Sequence, residues 1–195
     1  MPNRPSTTDL PELAFASSGA WASWLRENHA DVDGVWLVLA KRGSGLESVT
    51  YAEALDEALC HGWIDGQTRS IDEKRYLQKF TPRRARSMWS KRNREKVAAL
   101  IAAGRILPAG QREIDRAKED GRWDAAYDPQ STSTVPGDLQ RELDRNPVAA
   151  AEFARLDSRN RYAILHRIQT AKKPETRARR IEKFVAMLQR DERIY

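Results

Sequence analysis

The spacing of hydrophobic residues changes part of the way along this chain. In the first part, apolar runs typical of buried strands alternate with segments of helical spacing, whereas the last part has helical spacing throughout. The clearest amphipathic helix has apolar residues at i, i+3, i+4 and i+7, namely Ile181, Phe184, Val185 and Leu188. The change predicts an α+β domain over residues 12–127, a linker over residues 128–137 and a helical C-terminal module over residues 138–195.

The first domain is predicted to contain a small, mostly antiparallel sheet with flanking helices. Val35–Ala40 is a continuous apolar run rich in β-forming residues, so it predicts a buried strand. Residues 63–70 and 75–80 predict two further strands joined by a polar turn. Thr50 and Glu53 have the spacing of a capping box, which predicts that a helix begins there.

Positive charge is concentrated in two segments of the sequence. The whole chain carries a formal charge of +6. Residues 83–96 contain seven basic side chains and one acidic side chain, and residues 159–190 contain ten basic and two acidic side chains. The rest of the chain is therefore net acidic. This distribution predicts an anionic partner, or a charge match between the two parts of the chain.

The sequence offers little for a metal or covalent site. Its single cysteine, Cys60, cannot form a disulfide within the chain, and its three histidines are scattered, so we expect no structural metal and no cofactor. Asp56 and Glu57 precede Cys60 near the end of a predicted helix, and they raise the expected pKa of its thiol. No segment has the apolar length of a signal peptide or a membrane span, so we expect a cytoplasmic protein.

Glycine, tryptophan and aspartate cluster at the start of the second predicted strand. Trp63 and Asp65 lie two positions apart between Gly62 and Gly66, so they share one face of that strand. An indole beside a carboxylate forms a credible binding surface. The alternative is that Trp63 belongs to the hydrophobic core and that Asp65 fixes the turn or pairs with an arginine. Both interpretations stay open from the sequence alone.

An arginine-rich stretch follows the third predicted strand. The guanidinium groups of Arg83 and Arg84 can bind phosphate or carboxylate through paired hydrogen bonds, and a helix N-terminus after Ser90 attracts anions. The alternative is a solvated basic loop that neutralises the acidic remainder of the chain. We predict one ligand-binding set without a catalytic or metal-binding member: Trp63, Asp65, Tyr76, Arg83, Arg84, Trp89 and Lys91.

Two stretches of the chain resemble the bacteriocin-protection family, also called the YdeI/OmpD-associated family. The first comprises SVTYAEALDEALCHGWIDG, RYLQKFTPRR and WSKRN, and the second is AKKPETRARRIEKFVAML. The resemblance implies an α+β N-terminal part with a YdhG-like fold, a helical C-terminal module and a link to protection against bacteriocins or cationic peptides. It implies no catalytic residues.

Three functions are open at this point, and the first is favoured. In the first, the predicted pocket binds an anionic small molecule or an acidic protein segment without turnover, as part of stress or antimicrobial-peptide resistance. In the second, the two basic segments bind nucleic acid without sequence specificity. In the third, Asp65 acts as the general base of an enzyme. Direct capture of a cationic peptide is disfavoured because the sequence pI is ≈ 9.6 and like charges repel.

Overall fold

The computed structural model describes residues 10–195, which divide into two compact units. The first unit comprises residues up to 87 and residues 93–124, and the second comprises residues 88–92 and 125–195. Residues 128–136, which make up most of the predicted linker, form no helix or strand and belong to the second unit.

A four-stranded sheet forms the base of the first unit. Its strands are β1 (Glu12–Ala14), β2 (Val35–Ala40), β3 (Trp63–Ser70) and β4 (Arg75–Pro82). Their spatial order is β1-β2-β4-β3, with β1 parallel to β2 and the other neighbours antiparallel. The predicted α+β fold with a mostly antiparallel sheet is confirmed, while the YdhG-like detail stays a prediction. The sequence did not indicate β1, because three residues are too few for an alternating pattern to show.

Two helices of the first unit begin at side-chain caps. The helices of this unit are α1 (Ser18–Asn28), α2 (Tyr51–Cys60), α3 (Lys91–Ala102) and α4 (Pro108–Glu119), of which α3 starts in the second unit. The side-chain oxygen of Ser17 accepts a hydrogen bond from the backbone N–H of Ala20 at the start of α1. Thr50 and Glu53 form the predicted capping box of α2.

The two faces of the sheet are covered differently. On one face, Trp21 of α1 packs 5.8 Å from the ring of Phe80, and its Nε1 donates a 3.1 Å hydrogen bond to the carbonyl of Ala54 in α2. On the opposite face, the guanidinium of Arg69 lies 4.2 Å from the ring centroid of Trp36. The hydrophobic core of this unit therefore lies between the sheet and the first two helices, and a cationic side chain shields the other face.

The second unit contains four helices around a hydrophobic core of its own. They are α5 (Gly137–Asp144), α6 (Pro147–Arg155), α7 (Ser158–Gln169) and α8 (Pro174–Gln189). The four apolar residues predicted to form the stripe of the last helix are all buried in this core. Arg177 of α8 forms a 2.6 Å salt bridge to Asp138, which ties α8 to α5. Across residues 10–195 no helix combines the length and the apolar character that a bilayer crossing requires.

Candidate functional site

Trp63 belongs to the hydrophobic core of the first unit. Its side chain is 1% exposed, and its Nε1 donates a 3.1 Å hydrogen bond to the carbonyl of His29. Its ring meets those of Trp21 and Trp24 edge to face, with centroids 6.3 and 6.1 Å away. This burial agrees with the interpretation of Trp63 as a residue of the hydrophobic core, and its part in ligand binding stays a prediction.

Asp65 has a structural partner in α2. Its Oδ2 accepts a 2.7 Å hydrogen bond from the hydroxyl of Tyr51, the first residue of that helix. The neighbouring bulge of β3 is held by Gln78, whose Nε2 donates to the carbonyl of Gly66 at 3.0 Å. The carboxylate thus joins the sheet to the first turn of α2, as the structural alternative anticipated, although its partner is a phenol and not an arginine.

The other predicted residues of the first unit lie in unlike environments. Arg83 is 6% exposed and Arg84 is exposed, so the two neighbouring guanidinium groups do not share one surface. The backbone N–H of Arg83 donates to the carbonyl of Gly62, and that of Arg84 donates to the side chain of Ser87. Tyr76 is partly buried on β4, and burial raises the pKa of its phenol.

Trp89 and Lys91 belong to the second unit, so the predicted set is divided between the two units. Trp89 is 2% exposed, and its carbonyl accepts from the backbone N–H of Tyr127. The ammonium of Lys91 lies 2.5 Å from Oδ1 of Asp128, and this hydrogen bond lowers the pKa of that carboxyl. Ligand binding by the seven predicted residues stays a prediction.

The environment of Cys60 disfavours the reactive thiolate form of its side chain. Cys60 is buried, and burial is the largest cause that raises its pKa to about 11, with smaller contributions from Glu57 and Asp56. Within residues 10–195, no group of three or more His, Cys, Asp and Glu side chains is arranged to hold a metal ion.

A cavity of about 470 Å³ in the second unit is lined by three arginines of the basic segment 159–190, none of which belongs to the predicted ligand-binding set. We call it the arginine cavity. Its polar lining residues are Gln130, Arg159, Tyr162, His166, Arg167, Thr170, Arg180 and Tyr195. The lining contains no acidic side chain.

The three arginines of this cavity are not neutralised by the part of the chain that the structure describes. None of them lies within salt-bridge distance of an Asp or Glu side chain of residues 10–195. Arg167 donates to the carbonyl of Ala163 at 3.1 Å, and Arg180 donates to the carbonyl of Arg167. The guanidinium of Arg159 lies 4.1 Å from the ring centroid of Tyr195. Arg167 also donates a 3.5 Å hydrogen bond to the hydroxyl of Tyr195, and this bond lowers the pKa of that phenol. The partners are carbonyls, an aromatic ring and a phenol hydroxyl, so the positive charges remain available to an anion.

The pKa of His166 is affected by its burial and by two of these arginines. Burial lowers the pKa of His166, and the guanidinium groups of Arg167 and Arg180 lower it further. Its ring packs edge to face against Tyr127 with centroids 4.6 Å apart. The phenol of Tyr162 donates to the carbonyl of Asp128 at 3.1 Å, and burial above all raises its pKa to about 12. The cavity therefore presents a neutral imidazole and a protonated phenol beside three fixed cations.

The fold and the cavity define a class, an α+β protein with a helical C-terminal module that carries a basic cavity. The chain belongs to the family described as a domain of unknown function, DUF8412, whose model matches residues 13–113. Residues 132–191 match the family model described as bacteriocin-protection, YdeI or OmpD-associated, which confirms the resemblance seen in the C-terminal sequence. No curated protein and no solved structure matches the chain. Six of the polar residues that line the arginine cavity lie inside the second match, namely Arg159, Tyr162, His166, Arg167, Thr170 and Arg180.

Proposed function

We propose that this protein is a non-enzymatic binding protein of the bacteriocin-protection type, and that its arginine cavity holds a compact anionic molecule. The observation that carries the proposal is the convergence of Arg159, Arg167 and Arg180 on a cavity without an acidic lining residue. A volume of about 470 Å³ lies in the range of small-ligand sites. The ligand class is a molecule with phosphate or carboxylate groups, which guanidinium forks recognise.

Charge repulsion among the arginines of the cavity favours such a ligand. Like charges that face one small volume disfavour each other; burial is the largest cause of the lowered pKa of His166, and the charges of Arg167 and Arg180 lower that pKa further. An anion converts the repulsion into charge-assisted hydrogen bonds, each worth about 1.5–3 kcal/mol. Binding therefore gains from several contacts at once.

The same charge argues against capture of a cationic peptide in this cavity. A protective effect would then be indirect and would follow from the bound anion. A cytoplasmic location is part of the proposal.

Calorimetric titration with pyrophosphate, citrate and inorganic phosphate tests the proposal. We expect saturable binding that Arg180→Ala and Arg159→Ala each weaken about tenfold, because each removes a charged donor. The control is Arg179→Ala, since Arg179 is exposed, is adjacent to Arg180 and does not line the cavity. Equal losses in the control variant, or no binding of any of these anions, would contradict the proposal.

The titration of His166 gives a second, independent measurement. A bound anion offsets the charges of Arg167 and Arg180, so the pKa of His166 should rise when the cavity is filled. By linkage, affinity should then increase as the pH falls through that raised pKa. Both effects can be followed from the imidazole resonances in NMR spectra. Binding of RNA with a steep salt dependence, in place of these anions, would replace the proposal with the nucleic-acid function.

A further inference from the structure

A second cleft, of about 620 Å³, lies in the first unit beside the loop that connects β2 to α2. We call it the loop cleft. It is lined by residues 40–46 and 48–52 and by Tyr76 of β4. No acidic side chain is in this lining, which contains Lys41 and Arg42. It belongs to a different unit from the arginine cavity and shares no residue with it.

Three side chains supply donors to this cleft. The ammonium of Lys41 donates to the carbonyl of Asp72 at 2.7 Å, which holds one of its three hydrogens and leaves the others. Arg42 is exposed and makes no hydrogen bond or ion pair with residues 10–195. The phenol of Tyr76 is partly buried, and burial raises its pKa, so it stays a protonated donor.

The backbone of the loop is open towards solvent. Gly43 and Gly45 have φ angles of 79° and 73°, and a Cβ atom at either position would meet nothing within 4 Å. These glycines are therefore required by the direction of the backbone and not by close packing. The N–H groups of Gly43 and Gly45 donate to no group of residues 10–195, so they are open to an acceptor from solvent.

Asp65 holds in place one of the residues that line the loop cleft. Its hydrogen bond from Tyr51 fixes the phenol ring of a residue that lines the cleft, while Asp65 itself is not part of the lining. The proton of Tyr51 is thereby committed to the carboxylate. The hydroxyl of Ser48 is likewise committed, because it donates to the carbonyl of Val49 and accepts from the N–H of Ala40. The backbone N–H of Ser44 is committed to the carbonyl of Lys41 and that of Leu46 to the hydroxyl of Ser44. The donors left for a ligand are the two cations, the phenol of Tyr76 and the N–H groups of Gly43 and Gly45.

We propose that the loop cleft binds one phosphate group, either free or as a phosphate monoester. A phosphate offers several acceptor oxygens and a double negative charge, which suits two cations and a phenolic donor on different sides of a cleft. Tyr76, predicted from the sequence as a ligand-binding residue, takes part here as a hydrogen-bond donor. Asp65 acts as a positioning residue through Tyr51.

An NMR titration of the backbone amides tests this site in the full chain. Inorganic phosphate and phenyl phosphate are each added to a variant with Arg159→Ala and Arg180→Ala, so that the arginine cavity is disabled. We expect saturable shifts of the amides of Gly43 and Gly45 with at least one of the two probes, and the tighter probe identifies the source of the phosphate. The amide shifts of Gly43 and Gly45 should be the same in this variant as in the wild type, because the loop cleft shares no residue with the arginine cavity. Either proposal can therefore fail without the other.

Single substitutions test which side chains of the loop cleft bind the phosphate group. Arg42→Ala and Tyr76→Phe should each weaken the loop cleft's affinity, by about tenfold for the arginine. Arg112→Ala is the control, because Arg112 is exposed on α4 and does not line the cleft. The proposal is overturned if the shifts do not saturate, if chloride at equal ionic strength reproduces them, or if the Arg42 variant binds like the control.

Discussion

Gly110 lies where α4 meets the C-terminal end of α2, and replacing it with alanine should destabilise the first unit. A Cβ atom at this position would lie 2.5 Å from the carbonyl oxygen of Cys60 and 2.8 Å from that of Leu59. Both contacts are to backbone, so no side-chain rotation relieves them. The helix would have to move by about 1 Å to reach an ordinary van der Waals separation.

That movement has an identifiable cost. The backbone N–H of Leu107, just before α4, donates a 3.1 Å hydrogen bond to the same carbonyl of Cys60, and Ile114 and Ala117 of α4 are fully buried. Overpacking costs about 1–3 kcal/mol, and a weakened hydrogen bond adds about 1 kcal/mol. Alanine regains up to about 1 kcal/mol of helix propensity. We expect a net loss of about 1–3 kcal/mol in the free energy of unfolding.

Urea denaturation followed by tryptophan fluorescence measures this loss, since five of the six tryptophans lie in the first unit. Gly19→Ala is the matched control, because Gly19 lies in α1 and its Cβ would meet only the side chain of Ser17 at 3.9 Å. It should be neutral or stabilising by up to about 1 kcal/mol. A Gly110→Ala protein as stable as the wild type would refute the close-contact argument, and so would equal losses in the two variants.

Two further predictions concern pH. Burial and the neighbouring charge of His29 lower the pKa of His61, so the folded state binds fewer protons than the unfolded state between the two pKa values. Stability should fall as the pH drops below about 6.5, and His61→Gln should flatten that part of the stability profile. The salt bridge from Arg177 lowers the pKa of Asp138, so Arg177→Ala should cost about 1 kcal/mol at neutral pH. That cost should disappear as the pH falls through the lowered pKa of Asp138. Urea midpoints between pH 2 and pH 8 check both predictions, and an unchanged difference between wild type and the Arg177 variant at the acid end would contradict the second.

Local signals in the sequence were sufficient for the ends of most elements. The capping box of Thr50 and Glu53 involves residues three apart, and Gly62 ends α2 with a φ angle of 76°, so each device depends only on nearby residues. The stripe on α8 was equally readable because the face it buries repeats along one helix. By contrast, the sequence cannot distinguish Gly19 from Gly110. Only the packing of α4 on α2 makes the second of these glycines necessary.

The candidate sites show the same division between local and long-range information. Trp63 and Asp65 share a strand face as the sequence indicated, but that face turned out to be the one under the helices. The alternation of side chains along a strand assigns each residue to one of two faces, but it does not show which face is buried. The composition did indicate the arginine cavity, because residues 159–190 form one of the two basic segments. The sequence could not show that Arg159 and Arg167 of α7 meet Arg180 of α8 across one cavity.

The salt bridges of the second unit explain why only some of its arginines are candidates for binding. Arg177 has Asp138 as a partner, and Arg155 has Glu152, so these guanidinium groups contribute to the fold without needing a ligand. The arginines of the cavity have carbonyls, a ring or a phenol hydroxyl as their partners. Arg159 is exposed, whereas Arg167 and Arg180 are partly buried. A partly buried cation without a counter-ion lowers stability, because its charge is partly desolvated and repelled by its neighbours. An anion that enters the cavity removes that cost, so binding and the stability of this unit should rise together.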